Sequence, residues 1–332
     1  MRICVYKDSL SVGRGADRAV RNFAAALAER GHDAVLVERG GFAAALEERW
    51  DALVATGSNE AVDLDRAGYF DRPDRAPVVL QLHLAPRGFF KWKHPLRNRA
   101  VRRAFDRVDV AQLLCHDYER EFAAVAPHPR TVTIGNWTDL AGREATPERV
   151  ILCPAAVVNR VKNQRLLVAA FARVAAAWPD WSVRLLGRAE GRVADGCRKL
   201  ARRLGVADRV VFAGGVTDMA AEYARAAFVA VPSVLEGFPL AVLEAAAFSR
   251  PAVVQRTLPG ADEIVRDGET GFVTENSPAA YADALARLMD DAPLRERLGA
   301  NARREGGSRY ARAKIVDDWE RLLREVAEKK NV

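Results

Sequence analysis

The chain has 332 residues, of which 49% are hydrophobic and 29% charged, so it is long enough for a sizeable core and two domains. No apolar run reaches the length of a membrane span, and the first residues favour a strand over a secretory signal. The net charge of +7 suits anionic or phosphorylated partners, although most of the arginines are typical of a solvated surface. The four cysteines are scattered, which argues against a zinc site or a disulfide framework and for a reducing cytoplasm.

The first half of the chain alternates short apolar strands with helices. A helix is predicted over Ala16–Arg30, where apolar residues recur at helical spacing and Gly31 follows as a C-terminal glycine. A basic helix is predicted over Pro95–Phe105. The predicted strands of this half are Arg2–Tyr6, Ala34–Val37, Ala52–Ala55, Val78–Leu82, Val108–Leu114 and Thr131–Ile134.

The second half repeats this alternation, with helices predicted over Asn163–Ala177 and Ser277–Met289. Its predicted strands are Val150–Cys153, Ser182–Leu186, Val210–Ala213, Phe228–Val231 and Pro251–Val254. Strands that alternate with helices predict parallel sheets covered on both faces. A polar segment from Asn136 to Arg149 predicts the linker, so we expect domains at residues 1–145 and 146–308.

A final helix is predicted within residues 309–332. Apolar residues recur at helical spacing over Tyr310–Val326, which favours packing against one of the domains. A membrane anchor is the alternative, but Asp317, Asp318 and Glu320 dilute the positive face that anionic lipid attracts.

One segment, Pro232–Ala247, combines two carboxylates with a predicted helix start. Glu236 falls in a loop and Glu244 about one turn inside the helix, with a Gly-Phe-Pro turn between them. Backbone N–H groups at a helix start favour phosphate, and carboxylates accept hydrogen bonds from hydroxyl groups. The segment therefore predicts a site for a nucleotide-sugar.

With this segment, the chain resembles the retaining nucleotide-sugar glycosyltransferases of the GT-B fold, glycosyltransferase family 4. The resemblance covers nearly the whole chain and is densest in the second half. The matching segments are Lys162-Asn163, Leu186-Gly187, Asp208–Gly214, Pro232–Ala247 and Gly268–Val273, with looser matches at Gly15–Arg18 and Gly31-His32. The resemblance implies an α/β fold of two Rossmann-like, doubly wound parallel-sheet domains that face each other across a cleft, with the C-terminal helix packing back on them.

The resemblance also implies a donor site. Glu236 would contact hydroxyls of the donor sugar and Glu244 the ribose. The other donor-binding residues would be Gly237, Phe238, Pro239, Leu240, Gly187, Gly13 and Gly15. The alternative is that the two glutamates are a loop and a helix carboxylate with no role in binding.

For catalysis, the resemblance implies Lys162 and Arg160 as cations that neutralise the leaving diphosphate. The family's arginine usually lies further ahead of the lysine, and here Val157 stands at that position. His83 follows a predicted strand and would lie near the reacting carbon of the donor, with a structural histidine as the alternative.

Acceptor binding is expected in the first half. Arg14 stands where the family usually has a glycine, and we expect it to meet an anionic group of the acceptor or to be an exposed loop residue. Lys91 and Lys93 belong to a basic-aromatic patch that suits a membrane face or a phosphorylated glycolipid, with a solvated helix face as an equal alternative and nucleic acid behind both. The string Asp63-Leu64-Asp65 is common by chance, and we expect no metal site.

The expected function is transfer of a sugar from a nucleotide-diphosphate sugar to a hydroxyl acceptor, with retention, without a metal and without a cofactor other than the donor. The setting suggested by analogy is bacterial polysaccharide, lipopolysaccharide or glycolipid synthesis in the cytoplasm, with peripheral membrane contact. Three alternatives stay open. They are a nucleotide-sugar epimerase, a silent sugar-nucleotide binding protein, and a dinucleotide oxidoreductase, which the incomplete glycine fingerprint disfavours.

Overall fold

The computed structural model describes residues 1–10, 15–90, 94–127, 129–140, 142 and 145–329, without the side chains of Arg87 and Phe90. Its contacts divide the chain into two compact units. The first consists of Met1–Asn136 and Arg312–Val332, and the second of Trp137–Ala311. The division falls after Asn136 rather than after residue 145, and the terminal helix belongs to the first unit instead of standing apart.

The first unit is a six-stranded parallel sheet with helices. Its strands are β1 (Arg2–Tyr6), β2 (Asp33–Val37), β3 (Ala52–Ala55), β4 (Val78–Gln81), β5 (Val110–Leu113) and β6 (Arg130–Thr133). Its helices are α1 (Gly15–Glu29), α2 (Phe42–Ala45), α3 (Ser58–Arg66), α4 (Pro86–Phe90), α5 (Pro95–Asp106), α6 (Asp117–Ala123) and, at the end of the chain, α14 (Arg312–Glu328). The strand order is β2-β1-β3-β4-β5-β6, so the direction of winding reverses between β1 and β3.

The apolar runs of the sequence become the buried strands of this sheet. Strands β3 and β4 are buried along their whole length, as expected of parallel strands covered on both faces. Helix α14 packs on α1, where the rings of Phe23 and Trp319 lie 4.6 Å apart. The predicted packing of the terminal helix against a domain is therefore observed within this unit.

The second unit is also built on a six-stranded parallel sheet. Its strands are β7 (Val150–Pro154), β8 (Ser182–Leu186), β9 (Val210–Gly214), β10 (Phe228–Val231), β11 (Ala252–Gln255) and β12 (Gly271–Thr274). Its helices are α7 (Gln164–Val174), α8 (Gly191–Arg203), α9 (Met219–Arg225), α10 (Leu240–Ala247), α11 (Ala261–Ile264), α12 (Pro278–Asp290) and α13 (Ala292–Arg309). The order β12-β11-β10-β7-β8-β9 places the reversal of winding between β7 and β10.

Alternate residues of these strands enter two separate apolar clusters. Ile151 and Cys153 belong to one cluster and Leu152 to the other, because successive strand side chains point to opposite faces. Helices cover both faces, and side-chain caps from Ser277 and Asp291 start α12 and α13. Two doubly wound parallel sheets result, which confirms the predicted fold class.

Strand β12 and helices α2, α3, α4, α6, α11 and α13 are additions to the predicted elements. The Asp63-Leu64-Asp65 string lies inside α3. Among the described residues, no helix is both long and apolar enough to cross a membrane.

Candidate functional site

The predicted donor residues of the second half of the chain lie together at one edge of the second sheet. The carboxyl ends of β11, β10, β7 and β8 are neighbours there, because these four strands are adjacent in the sheet. In open parallel sheets ligands bind at this edge, where the strand order reverses. Here the reversal lies between β7 and β10, so the loops that follow these two strands define the candidate site.

Lys162 and Glu236 form an ion pair across this reversal. Lys162 follows β7 and Glu236 follows β10, and the ammonium nitrogen Nζ lies 2.7 Å from each carboxylate oxygen. The side chains are 26% and 16% exposed, so both are within reach of a ligand. The pair brings together two residues that lie 74 positions apart and that the sequence assigns to one site.

Backbone geometry fixes the positions of these two loops. Asn159 accepts a hydrogen bond from the Lys162 amide at 3.3 Å, and Asn163 adopts a left-handed conformation before α7 begins. The amide of Val234 donates to the carbonyl of Val161 at 2.8 Å, which ties the two loops together. The ion pair is thus supported by main-chain contacts beside it.

Glu244 lies on α10 and is 4% exposed. Its Oε2 accepts a 2.6 Å hydrogen bond from the hydroxyl of Tyr223, a fully buried residue on α9. A buried carboxylate needs such partners, because an unsatisfied buried charge is costly. Sequence reasoning missed Tyr223, which stands 21 residues before Glu244 and outside the Pro232–Ala247 segment.

The turn between the two glutamates leads directly into α10. Phe238 is buried and its ring meets that of Tyr310 edge-on at a centroid distance of 5.5 Å. Pro239 is the residue before the helix, and Leu240 is its first residue. Gly237 is partly buried in this turn. These positions agree with the predicted helix start, while their contacts with a donor stay predictions.

Gly187 follows β8 with a φ of +87°, a conformation that favours glycine. A Cβ atom here would lie 2.9 Å from the backbone nitrogen of Ala156, so the loops after β7 and β8 approach closely only because the side chain is missing. The next residue, Arg188, accepts a hydrogen bond from the Val157 amide at 2.7 Å through its carbonyl.

Val157 is fully buried in the core and supplies no charge at the position where the family resemblance would place an arginine. Arg160 is exposed in the 3₁₀ turn Arg160–Lys162. The exposed side chain of Arg188 makes no hydrogen bond or ion pair with the described residues. Sequence reasoning missed Arg188, although a cation directly after the strand-end glycine was a usable signal.

His83 lies in the first unit, just after β4. Its Nε2 is 3.1 Å from Oε1 of Gln81. Burial lowers the pKa of His83 to about 4, with a smaller contribution from the positive charge of Lys7, while the negative charge of Asp17 opposes the shift. The ring is therefore neutral near pH 7 and available for hydrogen bonding rather than as a cation.

A second lysine–glutamate pair lies in the first unit and was not predicted. Lys7 follows β1 and Glu60 lies in the first turn of α3, after β3, with Nζ and Oε1 2.5 Å apart. Glu60 is 1% exposed. This pair also spans the reversal of winding of its own sheet, between β1 and β3.

The structure does not place the remaining predicted site residues at the candidate site. Gly13, Arg14, Lys91 and Lys93 fall outside the described residues. Gly15 is the exposed first residue of α1. Among the described residues, no group of three or more His, Cys, Asp or Glu side chains is arranged to hold a metal ion.

Comparisons with known proteins bear on this arrangement. An exopolysaccharide phosphotransferase of Streptomyces coelicolor is 37% identical over 166 residues, which cover 49% of this chain and 17% of that protein. A D-inositol 3-phosphate glycosyltransferase of Corynebacterium glutamicum is 37% identical over 148 residues, 42% of this chain and 35% of that protein. The chain thus matches less than half the length of these relatives.

Solved structures match over nearly the whole chain. Sucrose-phosphate synthase of Thermosynechococcus elongatus has a TM-score of 0.85 at 18% identity and covers 98% of both chains. HepE of Anabaena, in complex with UDP and glucose, has a TM-score of 0.82 at 18% identity and covers 98% of this chain and 100% of its own. At this identity the likeness concerns the fold, which is GT-B.

The profile of the family described as glycosyl transferases group 1 matches residues 139–305, half of the chain. This range includes Lys162, Gly187, Glu236 and Glu244, the residues gathered at the edge of the second sheet. The chain belongs to the group 1 glycosyl transferases.

Proposed function

We propose that this protein is a retaining glycosyltransferase of family 4 that moves a sugar from a nucleotide-diphosphate donor to a hydroxyl acceptor. The observation that carries the proposal is the Lys162–Glu236 ion pair at the reversal of winding of the second sheet, with Glu244 on the adjoining helix. The two carboxylates can accept hydrogen bonds from hydroxyl groups, the lysine supplies a cation, and all three residues lie within the range that the family profile matches.

In the proposed donor complex, Glu236 accepts hydrogen bonds from hydroxyls of the sugar and Glu244 from those of the ribose. The turn from Gly237 to Leu240 brings backbone amides and the start of α10 toward the diphosphate. Tyr223 orients Glu244 through the 2.6 Å hydrogen bond, so the ribose contact depends on a residue that does not touch the donor.

Cleavage of the sugar–phosphate bond places negative charge on the departing oxygen. Lys162 is the proposed cation for this charge, and its ion pair with Glu236 holds it in position before the donor arrives. Arg188 and Arg160 are further candidates at the same edge of the sheet. Arg188 is the stronger of the two, because its backbone carbonyl accepts a hydrogen bond from the amide of Val157, the residue at the position of the expected arginine.

The first unit is proposed to bind the acceptor, with His83 as a neutral hydrogen-bonding group near the reacting carbon. A role in bacterial exopolysaccharide or glycolipid synthesis is supported by the names of the relatives, one of which is an exopolysaccharide phosphotransferase. A cytoplasmic location with peripheral membrane contact belongs to the same proposal.

Product analysis with UDP-, GDP- and ADP-sugars and a panel of sugar acceptors tests the function. We expect transfer with the anomeric configuration of the donor preserved, measured by NMR coupling constants. An epimerised donor, a change in redox state, or binding without turnover would each support a different class of protein. The transfer is proposed to be metal-independent, so full activity in EDTA is expected, and loss restored by Mg²⁺ or Mn²⁺ would contradict this part.

Lys162→Ala and Glu236→Ala variants test the assigned site. Both should retain the fold by circular dichroism and lose most of the turnover, by about 100-fold or more for removal of a group that stabilises developing charge. Normal turnover in both variants would refute the site. Arg202→Gln, which changes an exposed arginine on α8, is the matched control and should leave activity unchanged.

A further inference from the structure

A cavity of 480 Å³ lies within the first unit, in the size range of about 300–1,000 Å³ typical of small-molecule sites. It is formed by the loop after β1, the turn after β2 and the helices α3 and α5. Its charged and polar lining includes Asp8, Arg39, Asn59, Asp63, Arg66 and Arg97.

Three of these side chains are guanidinium groups, and they differ in their partners. Arg39 forms a 3.0 Å ion pair with Asp63. Arg97 donates a hydrogen bond to the amide oxygen of Asn59 and forms no ion pair with a described carboxylate. Arg66 is exposed and makes neither kind of contact with the described residues. Two guanidinium groups therefore line the cavity without an ion pair to a described carboxylate, because Asp63 pairs with Arg39 and Asp8 pairs with Lys7.

The cavity also contains a hydrogen-bond acceptor, the carboxylate of Asp8, which is held in position by its neighbours. Asp8 accepts a 2.6 Å hydrogen bond from Asn59 and forms a 3.0 Å ion pair with Lys7. Although burial alone would raise it, these contacts hold the pKa of Asp8 well below its ordinary value. Asp8 is therefore a carboxylate at neutral pH, positioned to accept hydrogen bonds from hydroxyl groups.

The position of the cavity in the fold is that of a ligand site. It opens beside the carboxyl ends of β1 and β2, and α3 follows β3. The winding of this sheet reverses between β1 and β3, and the partly buried Lys7–Glu60 pair spans this reversal. The fold therefore supplies both a ligand position and a rigid support for the residues that line it.

We infer that this cavity binds a polyhydroxylated compound that carries an oxyanion, either a phosphate or a carboxylate. Arg66 and Arg97 bind the oxyanion through their planar donor groups, and Asp8 binds hydroxyl groups of the same compound. In terms of the proposed function this compound is the acceptor, so the assigned role rests on that function, whereas the binding itself does not.

The test is a calorimetric titration of the full chain, without a donor, using glucose 6-phosphate, glucuronate and glucose at matched ionic strength. We expect the two anionic sugars to bind at least tenfold more tightly than glucose. Arg66→Gln and Arg97→Gln should each weaken the anionic sugars about tenfold, the loss of one charge-assisted contact, and leave glucose unchanged. Arg202→Gln, the control on α8, should leave all three unchanged.

Equal affinity for the three sugars would overturn the inference, as would an equal loss in Arg202→Gln. A loss of glucose 6-phosphate binding in Lys162→Ala but not in Arg66→Gln would place the ligand in the second unit and would also overturn it. Inorganic phosphate that binds as tightly as glucose 6-phosphate would overturn the acceptor role, because the sugar would contribute nothing. Titration with UDP, GDP and ADP measures the donor site separately, so failure of the proposed function is distinguishable from failure of this site.

Discussion

Replacing Tyr223 by Phe removes only the hydroxyl that donates to Glu244, at 2.6 Å in a fully buried position. A hydrogen bond to a charged group contributes about 1.5–3 kcal/mol. For a unit of the size of residues 137–311, each kcal/mol shifts the Tm by about 2–4 °C. We therefore expect the Tm of the unfolding transition of the second unit to fall by about 3–12 °C.

The same substitution should weaken donor binding, although Tyr223 is not assigned any contact with the donor. Glu244 without its partner loses the orientation in which it is proposed to accept the ribose hydroxyls. A loss of about 1.4 kcal/mol in that contact weakens binding tenfold. The assay is calorimetric titration with whichever of UDP, GDP and ADP the wild-type protein binds most tightly.

Tyr281→Phe is the matched control. Tyr281 is also fully buried in the second unit, and its hydroxyl donates to the backbone carbonyl of Val253 at 2.8 Å. Loss of this neutral hydrogen bond should cost about 0.5–1.5 kcal/mol of stability and leave nucleotide affinity unchanged. Equal nucleotide affinities in the two variants would refute a positioning role for Tyr223, whatever their stabilities.

Three further predictions concern stability and its dependence on charge. Lys162→Ala and Glu236→Ala should be non-additive in the free energy of unfolding, with a coupling of about 1 kcal/mol for their ion pair. Gly187→Ala should lose about 1–2 kcal/mol of stability from the left-handed conformation and about 1–3 kcal/mol more from the close contact of the new Cβ with the backbone. Gly205 has a φ of +71° with no atom near the position of an added Cβ, so Gly205→Ala should lose only the first of these two amounts. The pKa of His83 is lowered from 6.5 to about 4, so as the pH falls the unfolded chain binds a proton on this ring before the folded chain does. Up to about 3 kcal/mol of the folding stability present above pH 6.5 should therefore be lost as the pH falls toward 4.

Urea unfolding monitored by circular dichroism measures all three. Additive losses in the double Lys162/Glu236 variant would remove the coupling, and equal losses in the two glycine variants would remove the contact at Gly187. A His83→Gln variant should show a flatter dependence of stability on pH over this window. A curve parallel to that of the wild type would contradict the histidine argument.

Much of the fold was predictable from the sequence, because buried parallel strands appear as short apolar runs between helical patterns. The elements that were missed lack these signals. β12 begins at Gly271, which a strand pattern does not favour, yet a Cβ there would overlap the backbone of Ala252 on the neighbouring strand. Helix α13 buries only Leu298 and Gly299, so no apolar stripe marks it.

The candidate site was predictable where a motif carries it. The spacing of Glu236 and Glu244 placed one in a loop and the other inside a helix, as observed. Tyr223 and the Lys7–Glu60 pair were not predictable, because their partners are set by the order of strands in the sheets rather than by proximity in sequence. Whether the predicted residues bind donor and acceptor stays a prediction.

The first unit is assembled from two stretches of chain that the whole second unit separates. The apolar face of α14, including Trp319, packs on α1 near the beginning of the chain. During translation, residues 137–311 emerge from the ribosome before α14 is synthesised. The second unit can therefore complete its core while the face of α1 that α14 buries is still exposed. Nascent-chain folding is therefore expected to run from the second unit back to the first, opposite to the usual vectorial order.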